Sequence, residues 1–314
     1  MHPKLAFLIL PYTRAELPGW GRLLKLVGFG TALGGAQPMS PEWRMLPEVV
    51  VRGKRHGFLM QLDRSDWAQC CTYFLGRYYE LGVQRTLDLL LQEGDLFVDV
   101  GANIGMITLH ARHLIGATGR IDCFEPNPQC VNAIRGHVRM NGIENVFVHP
   151  CALSDAPGSL DLSLTSEHSG TATLVDVGND AIRTIKVDVR IGDDAIEGAP
   201  RVIKIDVEGF ELNVLKGLRR TLSMHKPFVV TELIESHLNK AGTNVAEVSG
   251  FLFDLGYVAY GISSARALLR HDLVLQRVAR GSDFRSFTDY LWVHPDNPAD
   301  LERHVRAKVV SQSA

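Results

Sequence analysis

Leu96–Val100 (LFVDV) is a short, uninterrupted apolar run that ends in a glycine-bearing turn and passes directly into a helical stretch at Ile104–Leu114. An apolar run without alternation suits a parallel strand covered on both faces. The same rhythm recurs in RIDCF (120–124), a helix over Pro128–Met140, and NVFVH (145–149). It recurs again in RVIKID (201–206), a helix over Phe210–Leu222 and FVVTEL (228–233), which is stopped upstream by Pro227. Strands and helices alternating at these lengths require βαβ crossovers, so the sequence predicts a doubly wound α/β fold with a mainly parallel sheet. A last strand pair is expected at Gly256–Ile262 and Tyr290–His294. Between Gly158 and Val189 the apolar residues instead alternate (Leu160, Leu162, Leu164, then Ile185, Val187, Val189), which reads as an antiparallel insertion.

Upstream, residues 65–92 read as helical, with Leu81, Leu87, Leu90 and Leu91 toward one side and Gly94 ending the run. Residues 47–63 read as two short strands around a Gly53–Gly57 turn, and 1–46 as an irregular arm. The expected division is an arm and hairpin over 1–64, the ligand-binding domain over 65–295, and a polar tail over 296–314. The arm and hairpin carry a local charge of about +5 over residues 1–60, whereas the whole chain of 314 residues stands at −2. That balance excludes an electrostatic nucleic-acid binder. The basic start is either a solvated face or a weak attraction to an anionic substrate or membrane surface. Five cysteines without a CxxC pair point to a reduced, cytoplasmic protein. The apolar run Leu5–Leu10 is too short for a membrane span, and residues 20–34 allow only a short interfacial helix.

The chemistry-bearing residues fall at strand ends, where open α/β sheets bind ligands. Asp99, Gly101, Ala102, Asn103 and Gly105 form the turn after the first apolar strand. The glycines let backbone approach a ligand, and Asp99 suits an amino-acid ammonium. The turn is not the dinucleotide fingerprint GxGxxG, because Asn103 and Met106 stand where glycines are required. Glu125 ends the next strand, placed to accept hydrogen bonds from a ribose diol, with Pro126 and Asn127 shaping the turn beside it. Ala152, Leu153, Ser154 and Asp155 follow the third strand, where an adenine edge would lie.

VDVGANIGMITLHAR, FEPNPQCVNAIRGHVRMNGIENV, CALSDAPGSLDLS and VIKIDVEGFELNVLKGL together resemble the FkbM family of S-adenosylmethionine-dependent methyltransferases. The segment YFLGRYYE (73–80) is similar to the family's lead-in to the first strand. The resemblance covers roughly residues 65–295, and KIDVEGFE is its most diagnostic part. Arg190-Ile191-Gly192-Asp193 departs from the Thr-Leu-Asp-like step usual in the family. The resemblance implies a seven-stranded, Rossmann-like class I methyltransferase sheet with an N-terminal extension. It also implies S-adenosylmethionine as cofactor and O-methylation of a hydroxyl on a small molecule, sugar or lipid-linked acceptor.

A sulfonium methyl is already electrophilic, so its displacement needs a positioned nucleophile and a group that takes the acceptor's proton. Asp206 is the expected base and Glu232 its partner, with Lys204 pairing one of them and lowering its pKa. His168, in the loop TSEHSGTAT, is a further candidate that could close over the acceptor, whereas His110 and His113 read as packing or surface residues. Asp206 also suits an N-cap, and Glu208 the dipole of the helix that follows. Asp206, Glu208 and Glu232 together could instead ligate magnesium, although no metal ligand is assigned. The alternatives are a nicotinamide oxidoreductase, which lacks its third glycine here, and a non-catalytic nucleoside-binding module.

Overall fold

A computed structural model describes residues 7–26, 41–164, 172–174, 183–267 and 270–297. Two strands, β1 (Val49–Arg52) and β2 (Leu59–Leu62), form an antiparallel hairpin around the anticipated turn. The main sheet has eight strands. Its parallel part is built from β3 (Leu96–Val100), β4 (Arg120–Phe124) and β5 (Val146–His149). A smaller sheet made by β6 (Ala152–Ser154), β7 (Gly158–Leu164), β8 (Ala172–Thr173) and β9 (Arg183–Ile191) interrupts it as the predicted insertion. The parallel run then resumes in β10 (Val202–Ile205) and β11 (Phe228–Glu232). The chain finishes the main sheet with β12 (Val258–Ala267), β13 (Arg270–Val278) and β14 (Asp289–Val293).

The spatial order is β13-β12-β14-β11-β10-β3-β4-β5. β14 enters antiparallel between β11 and β12, and β13 pairs antiparallel along β12 as an eighth, edge strand. That strand adds to the seven expected. Its sequence, RHDLVLQRV, sets a three-residue apolar run, Leu273–Leu275, between polar flanks. One face of the sheet is covered by helices Leu81–Leu90, Met106–Ile115 and Pro128–Met140, the other by Glu211–Gly217, Arg219–His225 and Val245–Asp254.

Two helices anticipated as continuous are broken. Residues 65–92 split into Trp67–Leu75 and Leu81–Leu90. The first is N-capped by Asp66, which accepts from the Gln69 amide at 2.9 Å, and ends at Gly76 in the left-handed region (φ 68°). The linker between them carries Tyr78, Tyr79 and Glu80 to the ends of the parallel strands. The Phe210–Leu222 helix divides at Leu218.

The N-terminal segments pack onto the main domain. Thr13 donates to the Phe74 carbonyl at 3.0 Å, and the Asn141 side chain both donates to and accepts from the backbone of Leu59 (2.8 and 2.7 Å). Part of the basic surplus is neutralised internally: Glu16 pairs with Lys54 and with Arg77 (2.9 Å), and Arg55 pairs with Asp88. Among the described residues, no helix is long and apolar enough to cross a membrane. All five cysteines are buried and free.

Candidate active site

A cleft opens at the carboxyl ends of β3, β4, β10 and β11, between the Tyr78–Glu80 linker and Leu162 and Leu174 of the insertion. At the β3 end, Gly101 adopts φ +78°, and a Cβ there would lie 1.8 Å from the Asp206 carbonyl oxygen. The glycine therefore lets the β3 turn close onto the β10 turn. Asn103 is also left-handed (φ 50°), which aims its amide at Glu125. Glu125 Oε2 accepts from the Asn103 amide and Oε1 from the Asn127 amide, both at 2.8 Å. Burial pushes the Glu125 carboxyl up to about 7, and the two amides pull against that rise. Each oxygen keeps a second lone pair, so a rigidly held acceptor pair lines the cleft at the position expected for a ribose.

Gly101, Asn103, Pro126, Ala152 and Leu153 line the same cleft, and Ala102 lines an adjoining recess beneath helix Trp67–Leu75. Asn127 caps helix Pro128–Met140 through its side chain, leaving its backbone amide for Glu125. Four expected contact residues are placed elsewhere. Asp99 is wholly buried, with Oδ2 accepting from Thr108 at 2.7 Å and Oδ1 lying 3.8 Å from Lys204 Nζ. It steadies the Lys204 ammonium and does not reach the cleft. Gly105 packs against Ile134. Ser154 donates to Asp155, which also accepts from Asn213 at 3.3 Å, so both fasten the insertion to helix Glu211–Gly217. His168 lies outside the described residues.

The β10–β11 end is built differently. Lys204 Nζ donates to Asp206 Oδ2 at 2.9 Å. Burial would depress this ammonium, but Asp206, Asp99 and Glu80 hold it above the usual lysine range. Glu232, from the neighbouring strand, comes to the same cleft as Asp206. Burial, reinforced by the Asp206 and Glu80 charges, pushes the Glu232 carboxyl well above the usual range, opposite to the lowering expected from Lys204. Sequence reasoning missed two further members of this cluster. Glu80, bonded by the Tyr78 hydroxyl at 3.3 Å, is pushed up to about 8 by burial and Asp206. Asp289, paired in register with Glu232, is pushed up to about 7 by the same two causes. The available signals were the YYE triplet and an aspartate immediately before the apolar run YLWV.

Glu208 does more than serve a helix dipole: it pairs with His237 Nδ1 at 2.6 Å. The helix start is held by Glu211, which accepts from the Val207 and Gly209 amides, each at 3.2 Å. Single oxygens of Asp206, Glu208 and Glu232 lie within 4.8 Å of one another. Two of the three already have cationic or imidazole partners in Lys204 and His237, which favours proton handling over metal ligation.

The model of the methyltransferase FkbM domain matches residues 99–259, just over half of the chain. The chain belongs to the FkbM methyltransferase family. The sheet order just described is that of the class I methyltransferase fold. Among relatives of this FkbM chain, methyltransferase sdnD of Sordaria araneosa is 30% identical over 175 residues, covering 45% of this chain and 67% of that protein. Hexuronic acid methyltransferase AglP of Haloferax volcanii is 32% identical over 161 residues, covering 48% of this chain and 62% of that protein. A solved structure of methyltransferase FkbM from Methylobacillus flagellatus KT aligns with a TM-score of 0.41 at 17% identity, covering 88% of this chain and 60% of that one. The FkbM chain thus spans about two thirds of the length of the curated relatives it matches.

Proposed function

We propose that the chain transfers the methyl group of S-adenosylmethionine to a hydroxyl of a small-molecule, sugar or lipid-linked acceptor. One observation carries the reading: a single cleft joins the amide-held Glu125 of β4 to the carboxylates Asp206 and Glu232 at the ends of β10 and β11. Glu125 fits a ribose diol, and the tight Gly101 and Asn103 turn fits backbone approach to the amino-acid end. The cofactor supplies an electrophilic methyl group. Asp206, fixed by Lys204, takes the acceptor proton as the carbon–oxygen bond forms and the carbon–sulfur bond breaks. Glu232, with its raised affinity for a proton, orients the hydroxyl beside it.

The named substrate of AglP makes a sugar acceptor a natural reading, yet a cleft holding Glu80, Asp206, Glu208 and Glu232 repels a second carboxylate. The acceptor is therefore neutral at the reacting end. The same carboxylate excess over Lys204 favours a basic amine as the second reading. The test is transfer of labelled methyl from S-adenosylmethionine to matched panels of neutral polyols, uronates and amines, with and without EDTA. Labelling of polyols that survives EDTA supports hydroxyl transfer by a carboxylate base. Labelling of amines alone replaces it with the second reading, and loss in EDTA with rescue by magnesium makes the acids metal ligands.

A further inference from the structure

The strand order gives the cleft a direction. Glu125 and Gly101 mark the cofactor end over β4 and β3, and Asp206 and Glu232 the reacting end over β10 and β11. Beyond β11, on the side away from the cofactor, a groove runs between helices Glu235–Lys240 and Val245–Asp254 and the segment Arg280–Thr288. Ile234 lines both the cleft and the groove. An acceptor whose hydroxyl reaches Glu232 can leave the cleft along this groove without crossing the cofactor end.

The groove differs from the cleft in charge. Arg280 is paired with Asp254 at 2.7 Å and Arg285 with Asp283 at 2.9 Å, so its cations are already neutralised. Ser236, Asn239 and Ser282 line it with hydroxyl and amide groups that have no hydrogen-bond partner among the described residues. Phe287 supplies a fixed ring. A Cβ at Gly261 would lie 2.3 Å from that ring, so the glycine makes room for it, and Tyr290 packs edge-on against it at 6.1 Å and 77°. The Glu235 carboxylate also lines the groove and accepts from the Val245 amide at 3.2 Å. Hydroxyl and amide groups beside a held aromatic ring suit a ligand carrying hydroxyls at its rim and C–H bonds on its flat faces. A fatty chain would leave the serine and asparagine groups unpaired, and a polyanion would find no free cation.

We infer that this groove is a second acceptor subsite that takes the non-reacting rings of a neutral oligosaccharide, with Phe287 as the stacking face and Ser236, Asn239 and Ser282 as hydroxyl partners. The inference rests on the proposed methyl transfer for its direction, while its binding test is independent of turnover. The experiment is an array of immobilised neutral, acidic and basic saccharides of one to six rings, probed with the full chain, together with calorimetry using S-adenosylmethionine. Binding to neutral oligosaccharides of three or more rings is expected. Phe287→Ala and the groove-blocking Ser282→Trp should each weaken it by at least about tenfold, with S-adenosylmethionine affinity unchanged. Ser282 is exposed, so the second variant keeps the test valid if the first fails to fold. Absence of oligosaccharide binding, equal binding of single sugars, preference for acidic chains, or indifference to both substitutions overturns the inference. Oligosaccharide binding without S-adenosylmethionine binding removes the methyl-transfer reading and leaves the groove as a saccharide site.

Discussion

The two ends of the cleft hold their carboxylates in opposite ways. At the β3–β4 end, Glu125 is fixed by two backbone amides and stands apart from the acidic cluster. At the β10–β11 end, Glu80, Asp206, Glu232 and Asp289 crowd one another with Lys204 as the near cation, and three of them are pushed upward by burial and mutual repulsion. The first end is set by backbone and ready before any ligand arrives. The second retains protons that a bound ligand can exchange with, and its charge state depends on what occupies it.

The hinge between the two ends is the place where the contrast breaks most completely. Gly101→Ala drives a methyl into the Asp206 carbonyl from a backbone held at φ +78°, so both ends must shift. A loss on the order of 4 kcal/mol, or no folded protein, is expected in denaturant unfolding. Next in size is Asp206→Asn, which is nearly isosteric. It should lower turnover by about 10²–10⁴ while cofactor affinity stays within a few-fold. Glu232→Gln should not add to it if the pair acts as a unit. Near-normal turnover in Asp206→Asn would mean that the reacting end lies elsewhere.

At the other end, Glu125→Ala should weaken S-adenosylmethionine by about 1.5–3 kcal/mol, because charge-assisted bonds to the ribose are lost and two amides lose their acceptor. With this carboxyl pushed up to about 7, affinity should also fall as pH drops through 7, and Glu125→Gln should flatten that dependence. A wild-type titration that is level from pH 8 to 6 contradicts it.

The smallest effect is on stability. The folded pKa of Glu80, about 8, lies above its ordinary value of 4.5. The unfolded chain therefore releases this proton first, and the associated stability, complete below about pH 4.5, is lost as pH rises through 8. Glu80→Gln cannot ionise, so it should raise Tm by about 2–4 °C at pH 9 and leave it unchanged at pH 4. An equal shift at both pH values would show that packing, not charge, is responsible.

What could be read in the sequence follows the same division. LFVDV, RIDCF and the Asp99–Gly105 turn are contiguous, so periodicity and spacing locate the parallel strands and Glu125 directly. The acidic cluster draws Glu80 from a linker before the first parallel strand and Asp289 from the last strand, and no local spacing joins them. Gly76 ends a helix inside what reads as one continuous helical stretch, and that break is what delivers Tyr78–Glu80 to the cleft. Asp99 misled for the opposite reason. Its position at a strand end resembles a ligand contact, but its side chain turns inward to Thr108 and Lys204, a direction that only the fold determines.

The proposed methyl transfer requires that one cleft take S-adenosylmethionine with its ribose on Glu125. Calorimetric titration of the full chain with S-adenosylmethionine, S-adenosylhomocysteine and NAD tests it most directly. Micromolar binding of the first two, about −7 to −8 kcal/mol, is expected, with no heat from NAD and the loss stated above in Glu125→Ala. Binding of NAD in their place, or unchanged S-adenosylmethionine affinity in a folded Glu125→Ala protein, would contradict it.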